Sequence, residues 1–102
     1  MATQVSSIET RTGCIEAAME IIGQKWTALI LRDLAAGSRR FAELERSIEG
    51  LNPRTLSQRL EALKAHNVVA CCADGNGYEL TKKGRDLVPI LEAMAAWGER
   101  HS

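Results

Sequence analysis

Between Asn52 and His66 the chain interleaves Arg54, Thr55, Ser57, Gln58 and Arg59 with Leu56, Leu60 and Leu63. Guanidinium, amide and hydroxyl groups are what a protein uses to read base edges and hold phosphates. Arginine pairs with guanine, and glutamine with adenine, through two hydrogen bonds, each pair worth about 1–3 kcal/mol of discrimination. The leucines recur at i, i+4 and i+7, the spacing of one buried helical stripe, which turns the polar groups outward. Asn52 suits the N-cap and Pro53 the first helical position, where a missing N–H removes no hydrogen bond. The spacing predicts a DNA-reading helix with contacts from Arg54, Thr55, Ser57, Gln58 and Arg59. The competing reading is the solvated face that any surface helix needs. Arg39 and Arg40 stand where a backbone phosphate would pass, and Lys82 and Lys83, followed by Arg85, form a third basic group. Cations at the start of a helix oppose its positive end, a placement that either an outside phosphate or the neighbouring Asp86 offsets.

Cys14 precedes or begins a helix, where the N-terminal partial charge stabilises a thiolate and raises its reactivity. It is a candidate redox-sensing thiol. Glu16 opposes thiolate formation, and a free cysteine also serves as a small packing residue. Cys71 and Cys72 bring the cysteine count to three, an odd number with two adjacent, which makes no disulfide framework. No pair has the C-x-x-C spacing of a zinc site. In a strand, Cys71 and Cys72 alternate, one toward the core and one toward solvent. His66 and His101 are isolated, so neither a metal nor a cofactor is expected.

The elements that must position these groups follow from periodicity and breakers. A chain of 102 residues, 45% hydrophobic and 25% charged, is one domain of ordinary composition. No apolar run approaches the roughly 20 residues that cross a bilayer, and no signal-peptide order appears, so a cytoplasmic protein without membrane contact is expected. The formal net charge is zero, which leaves phosphate attraction to depend on how the basic groups are distributed. Acids cluster early, at Glu9, Glu16, Glu20 and Asp33, and again over residues 41–48. If the three basic groups converge in space, a neutral chain can still carry a basic face.

Residues 1–12 read as a loose N-terminal arm and residues 13–102 as the folded domain. From Ile15, the positions Ala18, Met19 and Ile22, then Trp26, Leu29, Ile30 and Leu34, predict two helices separated near Gly23, with Gly37 at the left-handed cap. Residues 38–40 fit a bridging strand or turn. Phe41, Leu44 and Ile48 give a short third helix closed by Gly50. After the reading helix, residues 68–72 read as a strand. Asp74-Gly75 and Asn76-Gly77 signal a hairpin, and Tyr78-Glu79-Leu80 return as its second strand. Thr81 caps a final helix carrying Leu87, Ile90, Leu91, Met94 and Trp97, and Pro89 inside it predicts a kink or offset. Part of that stripe has no core left to cover, so Leu87, Leu91, Met94 and Trp97 are expected at a dimer contact. The result is a mainly α fold with a small β-hairpin, a winged helix-turn-helix of order α-α-β-α-α-β-β-α.

In this order and spacing the chain resembles the HxlR group of winged helix-turn-helix transcription regulators, within the wider MarR-like set. The residues that carry the resemblance begin with Cys14 and Ile22-Gly23-Gln24-Lys25-Trp26, Leu31-Arg32-Asp33-Leu34 and Arg40-Phe41-Ala42-Glu43-Leu44. They continue with Pro53 to Leu60, Tyr78-Glu79-Leu80-Thr81 leading to Gly84, and Trp97-Gly98. The resemblance implies a homodimer built from the first and last helices, which adds Ile15 and Met19 to the interface, with each subunit's fourth helix in a major groove. In several relatives a cysteine matching Cys14 responds to oxidants or electrophiles. Two family positions differ: Ile15 follows the cysteine in place of proline, and Asn67 stands in place of glycine before the strand. Asn tolerates the left-handed conformation. The wing is also short, with Asp74 at its tip in place of a basic residue.

The function expected is a sequence-specific DNA-binding transcription regulator, a repressor or dual regulator. As a homodimer it would act on double-stranded DNA at a palindromic operator and respond to an oxidant, an electrophile or a small ligand. The alternative is a winged-helix protein-interaction module without a DNA target, which zero net charge and the acidic wing tip favour. No Ser-His-Asp set, carboxylate pair or phosphate-cradling loop is placed for catalysis, so no enzyme is expected.

Overall fold

The structure, a computed structural model, describes residues 11–102, and its element boundaries follow the capping chemistry. Helix α1 (Thr12–Ile22) stops at Gly23 and α2 (Thr27–Ala35) at Ala36. Gly37 then takes φ +145°, and its N–H donates to the Leu34 carbonyl at 3.1 Å. Helix α3 (Phe41–Ser47) begins where the Glu43 carboxylate accepts the Arg40 N–H at 2.8 Å. Helix α4 (Pro53–Ala65) is capped by Asn52, whose Oδ1 accepts the Thr55 N–H at 2.8 Å, with Pro53 in the first turn. Strands β1 (Val69–Cys71) and β2 (Tyr78–Leu80) pair antiparallel, Val69 opposite Leu80 and Cys71 opposite Tyr78. Arg39 adds a single bridge to Tyr78, the short strand expected there. Helices α5 (Lys82–Arg85) and α6 (Val88–His101) complete the order.

Four expectations need correction. Trp26 is not helical: it precedes α2 at φ +80°, a left-handed conformation rare for a bulky side chain. The final helix is two helices, and Pro89 lies in the first turn of α6, where its missing N–H is harmless. Helix α1 already includes Thr12; residues 1–10 of the expected arm lie outside the described residues. Neither adjacent cysteine reaches the core, since Cys71 is exposed and Cys72 half-buried.

The core runs through the middle of the chain. Ile30, Leu31 and Leu34 of α2 meet Leu44, Ile48 and Leu51 around α3, the leucine stripe Leu56, Leu60 and Leu63 of α4, and Val68, Val69 and Leu80 of the hairpin. Neither α1 nor α6 contributes a buried residue. Both long terminal helices therefore leave apolar surface in water.

Candidate nucleic-acid interface

Helix α4 is held at both ends. Its N-terminus has the Asn52 cap, and its leucine stripe fixes its rotation against the core. At its C-terminus the Lys83 ammonium donates to the His66 carbonyl at 2.7 Å. A cation at that end complements the negative pole of the helix, so Lys83 serves α4 rather than opposing the start of its own short helix. With 3.6 residues per turn, Arg54 and Gln58 share the crest opposite the leucines, and both are exposed, as is Ser57 beside them. Thr55 and Arg59 are half-buried on one flank. There the Arg59 Nε donates to the Lys25 carbonyl at 2.9 Å.

The outward face changes character toward its C-terminal half. Glu61 follows Gln58 on the exposed side, and Lys64 holds its carboxylate at 3.3 Å. The Glu61 hydrogen bond, with lesser contributions from the nearby Cys71 and Tyr78, raises the Lys64 ammonium above the ordinary lysine value. The exposed polar groups of α4 that are not paired with an acid are thus concentrated in its first two turns.

The three basic groups do not gather into one cluster. Lys83 is bonded at the C-terminal end of α4 while Arg54 stands at its start, and a helix of 13 residues is about 20 Å long. Lys82 is exposed at the head of α5. Exposed Arg40 and half-buried Arg39 lie where the hairpin meets α3. Arg39 Nη1 donates to the Ser38 carbonyl at 2.8 Å. A shallow groove of about 330 Å³ runs there, with Arg40 and Phe41 on one wall and Cys71, Asn76 and Tyr78 on the other. At the wing tip the Asp74 carboxylate accepts the Asn76 N–H at 2.9 Å, so it builds the turn.

Cys14 lies in the first turn of α1 and is exposed. Of the residues expected at a subunit contact, Ile15, Met19, Met94 and Trp97 are exposed, Trp97 by 62%. Leu87 and Leu91 pack against the subunit's own core. Two further apolar residues, Leu29 and Ile90, are exposed, and Leu29 lies beside Met94. Helical spacing assigns Leu29 to the α2 stripe and Ile90 to that of the last helix, so periodicity alone marks neither for an interface.

Among the described residues, no group of three His, Cys, Asp or Glu side chains is placed to hold a metal ion, and no helix is long and apolar enough to cross a membrane.

The family model described as HxlR-like helix-turn-helix matches residues 21–102. The HTH-type transcriptional regulator YtcD of Bacillus subtilis is 36% identical over 92 residues, covering 85% of this chain and 73% of that protein. Among solved structures, quinone-bound YodB from B. subtilis superposes with a TM-score of 0.78 at 30% identity, covering 86% of this chain and 98% of that one. The redox regulator HypR in its oxidized form gives a TM-score of 0.78 at 30% identity, over 86% and 96% of the two chains.

Proposed function

Because the chain belongs to the HxlR-like helix-turn-helix family and is an HTH-type transcriptional regulator, we propose that it acts as a homodimer binding a palindromic DNA operator. The observation that carries this reading is the crest of α4. Arg54 and Gln58 stand exposed on a helix fixed by its cap, its leucines and Lys83. In this reading Arg54, Ser57, Gln58 and the flanking Thr55 read bases or phosphates, while Arg39 and Arg40, and separately Lys82 toward the far end of α4, hold phosphates at different points along the backbone. Two-fold pairing through α1 and α6 sets the reading helices about 34 Å apart, one turn of duplex.

Regulation is proposed through Cys14. Its thiolate adds to a ring carbon of a quinone-type electrophile: an S–C bond forms, the ring C=C π bond breaks, and the electron pair moves to the quinone oxygen, which takes a proton from water. The adduct sits on α1 beside Ile15 and Met19, within the proposed subunit contact, and alters half-site spacing. Such a switch requires that the two dimer arrangements differ in their interaction with the effector.

The test is selection of bound fragments from genomic DNA, with and without electrophile, by the native chain and Cys14→Ser. The expected result is recovery of palindromic sites whose affinity falls steeply with salt, abolished by electrophile only when Cys14 is present. Equal, weak affinity for every sequence would overturn the operator reading and favour a protein-interaction module. Loss of binding on electrophile treatment of Cys14→Ser would remove Cys14 from the mechanism.

A further inference from the structure

The residue on the reading helix with the most specific internal contact is Arg59. Its Nε–H meets the Lys25 carbonyl at 2.9 Å across a separation of 34 residues. Lys25 belongs to the elbow, residues 23–26, between α1 and α2, and the elbow touches the reading unit a second time. The Trp26 ring lies so close to Gly50, in the loop that enters α4, that a Cβ built there would stand 3.3 Å from Cη2. Lys25 places its ammonium 5.0 Å from the same ring. Trp26 holds φ +80°, a conformation that persists only where surroundings fix it. Beside the Arg59 bond, α1 and α4 do not close on each other. A cleft of about 270 Å³ lies between them, with Glu20 and Gln24 on one side and Ala62 and His66 on the other. Close packing transmits a displacement; an open cleft does not. Ile21 and Ile22 at the end of α1 pack against the core that includes the α4 leucines, and the elbow adds a polar tie, the Arg59 bond, between this end of α1 and α4.

We propose that Arg59 is a positioning residue, a latch that fixes α4 to the Lys25–Trp26 elbow and carries a shift of α1 to the reading helix, rather than a phosphate contact. The consequence for DNA rests on the operator reading above; the latch itself does not. Arg59 is set about 100° around the helix from Gln58, on the flank that faces the cleft. With its Nε held by a backbone carbonyl there, the guanidinium is committed to that flank and turned from the crest presented by Arg54 and Gln58.

The experiment compares Arg59→Met, which removes both charge and donor, with Arg59→Gln, which removes the charge but keeps an N–H donor. In a Trp97→Phe background Trp26 is the single tryptophan, since the chain has two, and its emission reports the elbow without any DNA. The latch predicts a red shift in Arg59→Met and near-native emission in Arg59→Gln. With native Trp97, operator affinity falls at least tenfold in Arg59→Met and recovers substantially in Arg59→Gln, while the slope of log affinity against log salt stays constant in both. Unchanged Trp26 emission in Arg59→Met would overturn the proposal. So would equal losses in both variants with a slope reduced by about 0.9, the signature of one lost phosphate contact. Unfolding of Arg59→Met with Arg59→Gln intact supports the latch; unfolding of both counts against it, because the bond would then hold the fold rather than orient a helix. If the parent chain ignores DNA, the operator reading fails and the emission comparison alone decides the role of Arg59.

Discussion

Gly84 is required because of the atom it lacks. It is buried, and a Cβ there would collide with the Val68 carbonyl oxygen and stand 3.2 Å from Leu80 Cδ2. The contact is close because Thr81 draws the chain in: its hydroxyl donates to the Asn67 carbonyl at 2.6 Å and accepts the Gly84 N–H at 3.0 Å. Together with the Lys83 bond to His66, this makes the short helix α5 a clamp on the C-terminus of α4. Gly84→Ala must displace backbone, and overpacking of that kind costs about 1–3 kcal/mol. Urea denaturation should show a lower midpoint at unchanged slope; a midpoint equal to the parent's would mean that the clamp yields freely. The sequence marked Gly84 only as part of a family pattern, because the atom that excludes a side chain comes from residue 68. Asn67 was legible for the opposite reason. Its left-handed φ of +61° is a local property of one residue, and the side-chain chemistry of Asn already tolerates it.

At the scale of elements, periodicity identifies faces and says little about where a helix is interrupted. Leu87, Ile90, Leu91, Met94 and Trp97 satisfy one continuous stripe, yet the chain turns at Asp86-Leu87 and starts again at Val88. The break gives Leu87 and Leu91 to the core and leaves Ile90, Met94 and Trp97 outside. Trp26 falls in helical step with Leu29 and Ile30, so the same argument counted it into α2, although its backbone dihedral lies outside the helical region. Elements whose ends carry their own chemistry, such as α4 with Asn52-Pro53 and the hairpin with its two Xaa-Gly pairs, were legible to within a residue at each end, though not which way Cys71 and Cys72 face. Pro89 provides the check. A proline inside a helix costs about 3 kcal/mol, so its removal would be strongly stabilising. In the first turn of α6 it only restricts the unfolded chain, and Pro89→Ala should lower stability by no more than about 1 kcal/mol. Denaturant titration of the variant separates the two outcomes by sign.

The described residues are more extended than their number requires. A compact chain of this size has a radius of gyration near 13 Å, whereas this one measures 15.0 Å with a long axis of 49 Å. The excess accompanies terminal helices that bury nothing fully: Ile15 and Met19 on α1, and Ile90, Met94 and Trp97 on α6, remain 44–62% exposed. Trp97 gains only the His101 ring, 4.8 Å away between centroids, which leaves most of its indole in water. Apolar surface displayed on two sequence-distant helices, each packed against α2, fits the second copy proposed above. Replacing Met94 and Trp97 together by glutamate puts like charges on that surface while leaving the core of α2, α3, α4 and the hairpin untouched. Sedimentation equilibrium should find the double variant monomeric where the parent is dimeric, with helical circular dichroism retained. Its affinity for a palindromic site should then fall by roughly a hundredfold or more, because the second half-site is no longer engaged intramolecularly, while the weak affinity for a single half-site persists. A double variant that stays dimeric would move the subunit contact elsewhere. A monomer that binds the full palindrome as tightly as the parent would show that pairing contributes nothing to recognition.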